Sequence, residues 1–170
     1  MTLRSALAAL AAVLALSSTA RAEDPGAAFA EKAAKEKGAV KTASGLVYRS
    51  LKDGTGPQAT ASSTVKVNYK GTFIDGKVFD ASDKHGGPAT FPLNRVIRCW
   101  TEGVAMMKVG GKAQLVCPPS IAYGAAGAPG AIPPNSTLVF EVELLAVQKS
   151  VVRSQTVSRQ PSARALKADG

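Results

Sequence analysis

The chain offers little for proton or metal chemistry: one histidine, His85, and two cysteines, Cys99 and Cys117. His85 sits in a Ser/Asp/Lys/Gly stretch without packed apolar neighbours, so it reads as a surface residue rather than the base of a Ser-His-Asp or Cys-His engine. One histidine and two cysteines at these spacings do not make a zinc site, so no metal and no cofactor are expected. There is no P-loop and no dinucleotide fingerprint. Asp80 has no second carboxylate at an adjacent strand position, which leaves paired acid/base work unsupported. The residues able to do something else are aromatic. Tyr123 lies in a loop that holds five of the ten prolines between Pro118 and Pro134, with Gly124, Gly127 and Gly130 among them. Proline fixes φ and glycine permits turns closed to other residues, so the loop can hold Tyr123 and Ile132 stiffly over a cleft. An enzyme built this way would act through shape and apolarity.

The two cysteines have a further reading. The first residues carry Arg4, an apolar run over 6–16 and Ala20-Arg21-Ala22, the pattern of a secretory signal peptide cleaved before Glu23. The run is too short and wrongly flanked for a membrane span. In an oxidising compartment Cys99 and Cys117 are a disulfide candidate, closing a loop of about 18 residues at about 3 kcal/mol; the alternative is two small buried thiols. Formal charge is +9, of which Arg4 and Arg21 leave with the leader. Lys149, Arg153, Arg159, Arg164 and Lys167, set against Asp169, form a basic tail. That tail is either a solvated solubility device or a contact for an anionic surface. No aromatics interleave with its charges, which argues against single-stranded nucleic acid.

Periodicity supplies the elements that must position these side chains. Residues 26–37 are Ala/Lys/Glu-rich and read as a short, mostly exposed helix that docks or frays, stopping at Gly38. Strands are expected over 46–51, 64–73, 77–80, 90–93, 112–117 and 137–145, with a tight turn at Asp75-Gly76. Trp100, Val104 and Met107 fall at i, i+4 and i+7 and predict a helix over 98–107, stopped by Gly110-Gly111. The expected fold is α+β: an antiparallel sheet of five to six strands wrapped around one short helix. The division predicted is a leader at 1–22, a short helical extension at 23–43, the domain at 44–148, and a disordered basic tail at 149–170.

Five segments in order resemble the FKBP-type peptidyl-prolyl cis-trans isomerases. They are Val67-Asn68-Tyr69-Lys70-Gly71; Asp75-Gly76-Lys77-Val78-Phe79-Asp80-Ala81-Ser82; Val96-Ile97-Arg98-Cys99-Trp100-Thr101-Glu102-Gly103; Ala122-Tyr123-Gly124; and Ile132-Pro133-Pro134 leading into Leu138–Leu144. The resemblance covers about residues 44–147 and is nearest to short exported bacterial members. It implies a pocket with Trp100 as floor and Tyr69, Phe79 and Phe140 as walls. Val96 and Ile97 would form the rim, with the Ile97 N–H bonding a substrate carbonyl and the Tyr123 hydroxyl a second one. Asp80 would lie at the edge near the twisting amide, and Ile132 would cap the loop side. Ala89 stands where an aromatic often lines the family pocket, and Phe91, two residues on, faces the same side. Small Ala128 and Ala131, and Cys99 in place of a usual glycine, should widen one wall.

The resemblance implies prolyl isomerisation assisting the folding of exported proteins in the periplasm. A proline-segment binding module without turnover is the alternative. Partners would be unfolded or proline-containing polypeptides, with the macrolides tacrolimus and rapamycin as candidate ligands. Neither nucleic-acid binding nor stable membrane insertion is expected, and the state is a monomer or weak dimer.

Overall fold

Alternation of side chains along β3 (Thr64–Phe73) sets the sheet: Val65 and Val67 are fully buried while Lys66 and Lys70 are exposed. The computed structural model describes residues 24–148. The leader expected at 1–22 and the tail expected at 149–170 lie outside the described residues. Seven strands form one sheet: β1 (Ala39–Lys41), β2 (Val47–Lys52), β3, β4 (Val78–Ala81), β5 (Ala89–Pro92), β6 (Lys112–Cys117) and β7 (Leu138–Gln148). Their order is β1-β2-β6-β7-β3-β4, with β5 on β3, and all pairings are antiparallel.

The seventh strand, β1, falls inside the segment expected to be a helical extension. Three residues are too few to show a period, and β1 exists through its register on β2, Val40 opposite Tyr48. At the other edge β5 pairs with Thr64–Val67 of β3, whereas β4 pairs with Lys70–Thr72. The gap between them is filled by Ser82, a buried residue whose Oγ accepts the Tyr69 N–H at 3.2 Å. A side chain thus stands in for the missing strand partner at Tyr69.

Helix α2 (Arg98–Gly103) continues as a tighter 3-10 turn over Val104–Met106, against the inner face of the sheet. Cys99, Trp100, Val104 and Met107 are buried there, as the i, i+4, i+7 spacing predicts. Gly103 allows the close approach: a Cβ at that position would fall 2.7 Å from Leu115 Cδ2. Cys99 and Cys117 are joined by a disulfide that ties the first turn of α2 to the end of β6. Both are fully buried, and among the described residues no cysteine is free.

Helix α1 (Pro25–Ala34) docks rather than frays. Asp24 caps it by accepting the Gly26 N–H at 2.9 Å, and Pro25 occupies the first turn, where its missing N–H costs nothing. Ala30 and Ala33 bury against Val47, Val116 and Val139 on the outer face. Those valines lie in one row across β2, β6 and β7, since Val47 pairs with Val116 and Val116 with Val139. Ion pairs from Glu31 to Lys41 and from Glu36 to Arg49 hold the helix end near β1 and β2. The helix stops at Ala34, short of the expected Lys37, and Gly38 at φ 78° turns the chain into β1.

Candidate functional site

Where the curled sheet meets the start of α2, a cleft of about 410 Å³ opens. It is lined by Tyr69, Phe79, Asp80, Phe91, Arg95, Val96, Ile97, Trp100, Tyr123 and Phe140. They arrive from several separate elements. Tyr69 comes from β3, Phe79 and Asp80 from β4, Phe91 from β5, Phe140 from β7 and Trp100 from α2. Val96 and Ile97 lead into α2, and Tyr123 stands on the loop between β6 and β7.

Trp100 is the hub. It is 5% exposed, and three rings meet it edge to face: Tyr69 at 5.3 Å, Phe140 at 5.4 Å and Phe91 at 5.5 Å between centroids. Phe79 meets Phe140 at 5.6 Å and Phe73 at 5.1 Å. All but the tilted Phe73–Phe79 pair are edge-on, an arrangement favoured because the positive ring edge faces a negative π-face. The indole N–H is buried without a hydrogen-bond partner among the described residues. Gly71 makes room for this wall, since a Cβ there would stand 2.5 Å from Phe79 Cζ and 3.0 Å from Phe140 Cε1.

The loop bearing Tyr123 is stiff through its backbone as well as its prolines. The Tyr123 carbonyl accepts the Gly127 N–H, Ala128 and Ile132 bond reciprocally, and Asn135 donates to the Gly124 carbonyl. Gly127 has φ 64°, and a Cβ there would fall 2.3 Å from the Ile132 oxygen. Tyr123 itself is 39% exposed.

The polar edge is one connected set. The Tyr69 hydroxyl donates to Asp80 Oδ2 at 2.8 Å. Asp80 Oδ1 accepts the Ala81 N–H at 2.9 Å and lies 2.7 Å from His85 Nε2. Burial opposes the Asp80 charge, but these hydrogen bonds from Tyr69, His85 and Ala81 hold its carboxyl below the ordinary 3.8. Its stabilising contribution is therefore present above the pKa of the unfolded carboxyl and lost as pH falls through the lower folded value. Burial first, then donation to Asp80 and its charge, push the Tyr69 hydroxyl up from 10.0 to about 12. Burial and the Asp80 charge also raise Tyr123.

In Asp80→Asn the carboxylate charge is gone, so an alkaline absorbance titration should show Tyr69 ionising nearer 10.0, with burial retaining part of the rise. A titration curve identical to that of the parent protein would mean that hydroxyl and carboxylate do not meet in solution.

Nine of the ten residues expected to catalyse or bind substrate line this cleft. Ile132, expected to cap its loop side, is not among the lining residues; it is buried in the core cluster that also holds Trp100 and Phe140. Two residues have a place at the site that their sequence context does not signal. Arg95, one of two polar residues between Leu93 and Val96, carries no periodic signal, yet it lines the cleft. His85 is exposed as expected, but it also pairs with Asp80 across the turn Ser82–His85. Among the described residues no cluster of His, Cys, Asp and Glu could hold a metal ion, and no helix is long and apolar enough to cross a membrane.

A sequence model described as FKBP-type peptidyl-prolyl cis-trans isomerase matches residues 56–145. The chain is 56% identical over 126 residues to the FKBP-type peptidyl-prolyl cis-trans isomerase FkpA of Escherichia coli K12, covering 74% of this chain and 46% of that protein. It thus spans about half the length of the curated relatives it matches. The crystal structure of FkpA from Escherichia coli superposes with TM-score 0.70 at 55% identity, over 72% of this chain and 57% of that one. A peptidyl-prolyl cis-trans isomerase structure from Pseudomonas syringae pv. tomato DC3000 gives TM-score 0.68 at 40% identity, over 73% of this chain and 91% of that one.

Proposed function

Because the chain belongs to the FKBP-type peptidyl-prolyl cis-trans isomerase family, we propose that it catalyses rotation about X-Pro bonds in the aromatic cleft. The observation that carries this reading is Trp100, buried at the base of the cleft with three rings set edge-on around it. An X-Pro amide faces a barrier of about 18–20 kcal/mol because resonance gives its C–N bond double-bond character. The twisted transition state loses that resonance and much of its dipole, so it loses less than the planar amide on leaving water. A dry, ring-lined cleft therefore binds the twisted form better, and each 1.36 kcal/mol of difference is tenfold in rate.

The roles follow the lining. The proline ring rests on Trp100 between Tyr69, Phe79 and Phe140, with Phe91 beside it. The Ile97 N–H and the Tyr123 hydroxyl hold carbonyls of the flanking chain, so that one side turns while the other stays fixed. Asp80, already accepting three hydrogen bonds, keeps Tyr69 in place at the edge and moves no proton.

The substrates proposed are proline-containing segments of exported, unfolded polypeptides, with tacrolimus or rapamycin as competitors for the same cleft. The leader pattern at 1–22 and the Cys99–Cys117 disulfide support action in the periplasm. The test is a protease-free peptide assay alongside refolding of a proline-limited protein. Faster isomerisation in both, suppressed by tacrolimus, is expected. Equal rates with and without the protein refute catalysis. Binding seen by Trp100 fluorescence without acceleration would make the domain a proline-segment binding module.

A further inference from the structure

Among the residues lining the cleft, Arg95 is the one cation and Asp80 the one anion, and the two are not equivalent. Asp80 is committed within the protein, its two oxygens taken by Tyr69, Ala81 and His85. Arg95 has no side-chain hydrogen bond and no ion pair among the described residues. Its backbone, by contrast, is firmly held. Arg95 ends a short 3-10 turn, Leu93–Arg95, whose first residue is fully buried. The Leu93 N–H donates to the Ser63 carbonyl, and its own carbonyl accepts the Thr101 hydroxyl. The next two residues, Val96 and Ile97, are apolar members of the same lining. A fixed stem thus presents an uncommitted guanidinium at the mouth of an apolar cleft.

We propose that Arg95 makes this cleft favour segments in which an acidic side chain flanks an apolar X-Pro pair. The inference rests on the reading of the cleft as an X-Pro site and names the substrate class it takes. A chain whose proline reaches Trp100 must lay its neighbouring side chains along the rim that Arg95 occupies. A guanidinium offers five N–H donors in a planar fork that matches a carboxylate, and apolar walls keep the pair partly out of water. A lysine or arginine in the same place would face like charge. The aromatic faces and Asp80 offer a carboxylate no hydrogen-bond donor from a cation, so a preference for an acidic over a neutral side chain needs Arg95.

The test uses the purified protein and a peptide set in which the residue on either side of an apolar-X-Pro core is Glu, Gln or Lys. Gln matches Glu in shape and lacks only its charge. For wild type the Glu peptide at one of these positions should exceed its Gln counterpart in kcat/KM by about two- to fivefold, as exposed charge pairs allow. The ratio should shrink toward one as salt rises to roughly 1 M. It should fall to about one in Arg95→Gln and invert in Arg95→Glu; comparing ratios within each variant cancels any general loss of activity. Arg98→Gln, which removes a neighbouring cation outside the cleft lining, should leave the ratio intact. Equal rates for Glu and Gln peptides in wild type, both accelerated, overturn the inference and leave the isomerase reading standing. So does a preference that survives Arg95→Gln or responds equally to Arg98→Gln. Acceleration of none of the peptides strikes the underlying reading instead.

Discussion

Trp100→Ala is expected to lower kcat/KM for X-Pro isomerisation by roughly tenfold or more, the equivalent of at least about 1.4 kcal/mol of transition-state stabilisation. It should also cost about 3–5 kcal/mol of folding stability. Both effects have one origin. The indole is the shared partner of Tyr69, Phe91 and Phe140. Its removal leaves three rings beside a void, and the floor that excludes water from the amide is gone. A variant that merely unfolds would mimic this loss, so the comparison needs two companions. Trp100→Phe keeps an aromatic floor and breaks no protein hydrogen bond, since the indole N–H has no partner among the described residues; it should retain most stability and more activity than alanine. Phe79→Ala empties a half-buried wall and should lose more activity than Asp80→Asn. If Asp80→Asn proved the more damaging of that pair in folded protein, electrostatics would outweigh apolar shape.

How far the sequence alone leads depends on the kind of contact. The strands over 64–73 and 112–117 are legible because alternation within one segment is a local property, and their limits coincide with β3 and β6. The helical stripe of Trp100, Val104 and Met107 is local in the same way, although the chain tightens into a 3-10 turn after Gly103. The docking of α1 is not legible, because its seat is a row of valines drawn from three strands far apart in sequence. The same holds for β1, which three residues and a pairing partner define. At the site, aromatic residues are visible through their type and through the resemblance that placed them in order. Arg95 and His85 are not, since a polar residue in a loop looks like solvent-facing chain until tertiary structure shows what it stands beside. Ile132 is the converse case, an apolar residue expected at the cleft that is buried in the adjoining core instead of lining it. Sequence reveals which residues can do chemistry, and packing decides which of them share a surface.

The second large effect concerns the bridge between Cys99 and Cys117. The sequence separation is 18, and closing a loop of that size removes conformational freedom from the unfolded chain worth about 3 kcal/mol. Replacing both cysteines by alanine should therefore lower stability by about that amount and the thermal midpoint by roughly 10 °C for a domain of this size. The denaturant slope should rise, because an unbridged chain exposes more surface on unfolding. Activity below the melting range should change far less than in Trp100→Ala, even though Cys99 is the residue before Trp100. The reason is that the bridge acts mainly through the unfolded ensemble, whereas the indole acts in the folded cleft. Both sulfurs are fully buried, so a reductant should reach them only when the domain opens, and reduction should accelerate steeply with denaturant. Identical unfolding midpoints for the bridged protein and the double alanine variant would show that the bridge contributes nothing to stability. A variant that keeps its midpoint but loses activity would instead make the bridge a clamp on Trp100, and the division between floor and staple would have to be redrawn.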